Sequence, residues 1–140
     1  MIRLVNLNQQ HSRIKEEVKI LESEIIKGVE EMNISELALH INILAGQIKV
    51  HLLEEDEFLY PSLLKSNDAQ ISGMAKEYIE EMGDLFGAYT NFKMKYNIGN
   101  KIKADKDKFL EEIQIVLKAL KERITKEENE LYHIIQNKSL

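Results

Sequence analysis

Apolar residues recur along this chain in steps of three and four, and they do so in four separate runs. In the first, from about Leu7 to Val29, the positions Ile14, Val18, Leu21, Ile25 and Val29 fall on one face of a helix. The second runs from about Ile34 to Leu64. It opens on Asn33 with Glu36 three residues on, a capping box with Asn in place of the usual Ser or Thr. Pro61 near its end predicts a kink or a stop, because proline has no N–H to give the helical ladder. Ser66-Asn67-Asp68 then reads as a loop ending in a fresh N-cap. The third run extends from about Ala69 to Tyr96. Gly83 and Gly87 inside it weaken a helix unless a neighbour packs closely against them. Asn97-Ile98-Gly99-Asn100 interrupts the pattern. The fourth run, from about Ala104 to Gln136, is carried by Phe109, Ile113, Val116, Leu117, Leu120 and Ile124. Nothing alternates with the period of a strand.

Four helices joined by short loops pack most simply as an all-α, up-down-up-down four-helix bundle. The 140 residues suffice for one such domain, spanning 1–140. Composition sharpens this picture mainly by exclusion. There is no cysteine, which removes disulfides, thiolate metal sites and thiol nucleophiles together. A formal charge of −5 argues against nucleic acid, which needs a concentrated basic face. The Lys-rich stretch Lys101–Lys108 also holds Asp105 and Asp107, and reads as a solvated loop and helix start. No apolar run is long enough for a bilayer and no secretory leader is evident, so a cytoplasmic location is expected by default. A stripe on the third helix leaves a homodimer open.

The second and fourth helices carry a repeat. A shift of 72 positions brings Ile48 onto Leu120, Glu55 onto Glu127, Leu59 onto Leu131 and Tyr60 onto Tyr132. One helical hairpin thus reads as a diverged copy of the other. His51 and Glu55 are four residues apart, so both leave one helical face a turn apart, suited to gripping a divalent metal. His11 lies on the inward face of the first helix, ahead of Ile14 and Val18. With a turn near Asn33, His11 and His51 stand at similar heights in an antiparallel pair. His40, three turns from His51, reads as polar packing at the other end, and His133 as an unremarkable C-terminal residue. Tyr60 and Tyr132 either hydrogen-bond at the site or pack at its edge.

The stretch from His51 to Pro61, HLLEEDEFLYP, resembles the signature of hemerythrin-like HHE cation-binding domains. That resemblance implies a four-helix bundle holding a non-haem di-iron centre. Its ligands are a lone His on the first and third helices and His-x-x-x-Glu on the second and fourth. It also implies functions in oxygen or nitric oxide binding, iron sensing or oxidative stress. On this chain the ligand positions fall on His11, His51, Glu55 and Glu127. The third-helix histidine position falls near Tyr78, and the fourth-helix one on Arg123.

Between His51 and His133 there is no histidine, so two of the family's nitrogen ligands are replaced. Arg123 is a permanent cation and cannot ligate iron. Three outcomes follow. The site binds a single transition metal at the His11–His51 half; or it is metal-free, with the Arg123 guanidinium between Glu55 and Glu127; or it is a di-iron site with unusual ligands, Tyr78 among them. The corresponding functions are an iron-binding or sensing module, a structural or interaction bundle, and an enzyme such as a ferroxidase or peroxide-reducing iron protein. No motif supplies a substrate pocket, which places the enzyme last.

Overall fold

The computed structural model describes residues 2–140. Helix α1 spans Val5–Ile25 and α2 spans Ile34–Glu54. A π-helical turn, Glu55–Leu59, leads without a break into α3, Tyr60–Leu64. Helix α4 spans Ala69–Tyr96, α5 is a short turn at Gly99–Lys103, and α6 spans Lys106–Lys126. A second π turn, Glu127–Leu131, leads into α7, Tyr132–Asn137. Four rods therefore exist: α1, α2 with α3, α4, and α6 with α7. Contacts run α1–α2, α2–α4, α4–α6 and α6–α1, closing the rods into a bundle.

The rods begin where the capping chemistry directs. Asn33 Oδ1 accepts from the Glu36 N–H at 3.1 Å. The reciprocal bond expected from Glu36 is made instead by Glu24 of α1, whose carboxylate accepts the Asn33 N–H. The last turn of α1 is thereby tied to the start of α2. Asp68 Oδ1 caps α4 through the Gln70 N–H at 2.9 Å, and Asp105 Oδ1 caps α6 through Lys108 at 3.1 Å. Gly28 at φ +89° turns the chain after α1, so Val29 lies beyond the helix that its spacing suggested. The stretch after Tyr96 is more ordered than a loop, because Ile102 is fully buried and holds α5 down.

Pro61 does not stop its rod. The ladder has already widened at Glu55–Leu59, so the missing proline N–H falls where the hydrogen-bond register is shifting. Proline is not the cause, since Glu127–Leu131 makes the same π turn with His133 at the matching place. Gly83 and Gly87 need no close neighbour: a Cβ added at either meets nothing within 4 Å.

The core falls into two apolar clusters stacked along the bundle. One contains Ile14, Ile41, Leu44, Ile48, Tyr89, Phe92, Phe109, Leu117 and Ile124. The other contains Leu7, Leu59, Tyr60, Ala75, Tyr78, Leu131 and Tyr132. The α1 sequence steps from Leu7 to Ile14 across His11, the second rod steps from Ile48 to Leu59 across His51 and Glu55, and the fourth rod steps from Ile124 to Leu131 across Glu127. A polar layer separates the two clusters.

Candidate metal centre

His11, His51, Glu55 and Glu127 make up that layer, each at most 2% exposed. Helix α1 supplies His11, α2 supplies His51, and the two π turns begin on Glu55 and Glu127. His11 Nε2 lies 3.3 Å from Glu127 Oε2, and His51 Nε2 lies 3.4 Å from Glu55 Oε1 and 3.6 Å from Glu127 Oε2. The imidazole centroids are 4.5 Å apart. These separations are long for hydrogen bonds. They suit donor atoms around one ion, since ligands bound at about 2.1 Å stand roughly 3.0–3.4 Å apart in octahedral or tetrahedral geometry. His51 Nε2, Glu55 Oε1 and Glu127 Oε1 are buried without a hydrogen-bond partner, as the donor atoms of a metal site are when no ion is bound. Two imidazoles and two carboxylates are a donor set for iron, manganese or zinc.

The surroundings orient the imidazoles. Gln10 donates its amide to Glu54 Oε2 at 3.4 Å, which leaves its Oε1 facing His51 Nδ1 at 2.8 Å. Gln10 thus engages His51 through Nδ1 and leaves Nε2 toward the centre. His11 Nδ1 lies 3.5 Å from Glu128 Oε1, and Lys15 holds that carboxylate from outside, 2.9 Å from Oε2. His51 thus has an outer partner that leaves Nε2 for the centre, while His11 Nδ1 makes no hydrogen bond and only faces Glu128. Gln10 and Glu128 are not among the residues the sequence singled out. Glu128, on the 72-residue shift, stands opposite Asp56, which is exposed, so the repeat gave no sign of its role.

The π turns set the carboxylates. In each, the Glu carbonyl accepts from the N–H of a tyrosine five residues on, Tyr60 onto Glu55 and Tyr132 onto Glu127. The wide turn folds Tyr132 back over its own glutamate. Its hydroxyl is 3.0 Å from Glu127 Oε2, 3.1 Å from Glu55 Oε2 and 3.5 Å from His11 Nε2. The matching Tyr60 hydroxyl is buried with no partner. Burial, then the charge of Glu127, pushes the Glu55 carboxyl well above the usual range. Burial acts on Glu127 in the same sense, but is outweighed by His11 and His51, which hold it well below.

Set beside this geometry, comparison with protein families is decisive: residues 4–135 match the hemerythrin HHE cation binding domain. The chain belongs to the hemerythrin HHE family. No curated protein and no solved structure gives a match.

Within that family this hemerythrin domain is lopsided. Tyr78, at the expected third-helix position, is buried, but its hydroxyl donates to the Lys126 carbonyl at 3.3 Å rather than to Glu55. The Arg123 guanidinium does not lie between Glu55 and Glu127. One of its nitrogens pairs with Glu81 of α4, and the group stacks over the Tyr78 ring at 5.1 Å. The reason is solvation: Glu81 is 41% exposed, so pairing there keeps one partner of the ion pair in water. The bridging place expected for Arg123 is taken by the Tyr132 hydroxyl. His40 contacts Glu17 at 2.6 Å and Glu36 at 3.3 Å, far from the centre, and exposed His133 contacts Asn137 at 2.9 Å.

Proposed function

We propose that this hemerythrin-family chain binds one non-haem iron ion per chain, held by His11, His51, Glu55 and Glu127, and serves as a receptor for oxygen or nitric oxide. The observation that supports this most is that His11, His51 and Glu127, all buried, each offer a ligand atom within 4.8 Å of the others, beside carboxylate oxygens of Glu55 and Glu127 that have no hydrogen-bond partner. Iron, if held there by these four residues, would supply a redox-active ion able to take a diatomic ligand. The chain's own residues do the rest. Gln10 fixes the imidazole of His51, Glu128 faces that of His11, the apolar clusters pack above and below the layer, and Glu55 would give up its proton to a bound cation. The Tyr132 hydroxyl, between the two carboxylates, is a hydrogen-bond donor beside whatever occupies the centre.

A second reading rests on that same hydroxyl. With Glu55 protonated and Tyr132 bonded to both carboxylates, the cluster is a tolerable metal-free polar layer. Tyr132 then does what the sequence assigned to Arg123.

Reconstitution with ferrous iron in the absence of oxygen, followed by elemental analysis, separates the two. About one iron per chain in the wild type and none in His51→Ala supports the iron receptor, and nitric oxide should then change the visible spectrum of the loaded protein only. Two irons per chain would overturn the single-ion reading. None would leave the metal-free layer.

A further inference from the structure

Helix α2 is apolar on its outer face as well as its inner one. Leu37, Ile41, Leu44 and Ile48 face the core. On the opposite side Leu39, Val50 and Leu53 are 51–56% exposed and Ile43 is 36% exposed. With Gly46 these outward positions run 39, 43, 46, 50, 53, in steps of four, three, four and three, the spacing of a coiled-coil seam. A helix apolar all round is normally buried. From Leu37 to Leu53 the only Lys, Arg, Asp or Glu is Lys49, a depletion of charge found at the centres of protein interfaces. The stripe that the sequence placed on the third helix does not form: the large apolar residues exposed on α4 are Ile79 and Met94, fifteen positions apart.

Gly46 sits at the midpoint of the seam. Glycine destabilises a helix interior relative to alanine. Nothing in the monomer calls for it, since a Cβ there meets no atom within 4 Å. The seam also reads the same in both directions: Leu39 and Leu53 are each seven residues from Gly46, while Ile43 and Val50 flank it at three and four.

We propose that two copies of this chain associate through α2, antiparallel, on a two-fold axis passing beside Gly46. Leu39 of each copy then packs on Leu53 of the other, and Ile43 on Val50. The missing side chain at the crossing lets the two backbones approach. Antiparallel alignment also opposes the two helix dipoles favourably. Two 21-residue helices laid along each other with their flanking residues bury on the order of 1,200 Å² in total, the lower end of specific interfaces. The association is therefore a weak, concentration-dependent dimer. It does not depend on what the centre of the bundle binds.

Sedimentation equilibrium over a wide concentration range tests it. The wild type should shift from monomer to dimer mass, and Val50→Glu and Leu53→Glu should stay monomeric with unchanged helical circular dichroism, because both side chains are exposed. The chain has no cysteine, so orientation is read by oxidising single-cysteine variants. An equimolar mixture of Leu39→Cys and Leu53→Cys should cross-link between copies, while each variant alone should not. A wild type that stays monomeric at high micromolar concentration, or a dimer in which Leu39→Cys cross-links to itself, would overturn the proposal.

Discussion

Glu55 and Glu127 occupy matching places in an internal repeat and are equally buried, yet their surroundings drive them to opposite protonation states. The sign of each matters for stability. Glu127 is held low by two imidazoles, so it stabilises the fold at neutral pH, and that stability is lost as pH falls below the ordinary carboxylate range, about 4.3. Glu55 is raised, so the reverse holds. Its contribution is present below that range and is lost as pH climbs toward its raised value. A permanently neutral isostere removes that penalty. In the metal-free protein Glu55→Gln should therefore raise the unfolding free energy at neutral pH. The same change should abolish metal uptake. Denaturant titration without metal checks the first effect, with a loss of stability as the contrary outcome, and metal titration checks the second.

At the scale of elements, the two π turns are the unusual feature. Each inserts one residue into an α-helical ladder at the glutamate that faces the centre. Asp56 and Glu57 in the first, and Asn129 in the second, are exposed. Deleting Glu57 should restore ordinary helical pitch and leave both flanking faces in register with the core. The variant should fold with wild-type helicity but lose affinity for metal by at least about tenfold, because the Glu55 carboxylate is re-aimed. Deleting Ala45, inside regular α2, is the control. It turns everything beyond it by about 100° relative to the core and should prevent folding. Equal damage from both deletions, read by circular dichroism, would mean that the π turns are not the aiming device.

At the scale of the whole molecule, an apolar cluster lies on each side of the polar layer, so the bundle does not need a cation to fold. Binding should instead add stability by mass action. Saturating ferrous iron at 100 times its dissociation constant is expected to contribute about 2.7 kcal/mol, or several degrees in Tm, to the wild type and nothing to His51→Ala. Calorimetry under anaerobic conditions measures this, and an equal rise in both proteins would place the ion elsewhere.

The primary structure by itself determined the four helical rods, because a spacing of three and four residues is set locally and survives any tertiary arrangement. It also determined which side chains share the inward face at one height: His11, His51 and Glu55 by spacing, Glu127 by the 72-residue repeat. Family membership was legible for the same reason, from the run His51–Pro61. What remained was decided between helices. The N–H of Asn33 went to Glu24 of α1, the orientation of His51 came from Gln10, and Arg123 turned to Glu81 on α4. Each is a choice among partners that the sequence keeps far apart and only packing brings near. The π turns escaped notice because widening a ladder by one residue leaves the apolar pattern almost unchanged. The polar bridge of the centre fell to Tyr132 because that turn folds the phenol back onto Glu127, while the Arg123 charge is held more cheaply beside a carboxylate still in contact with water.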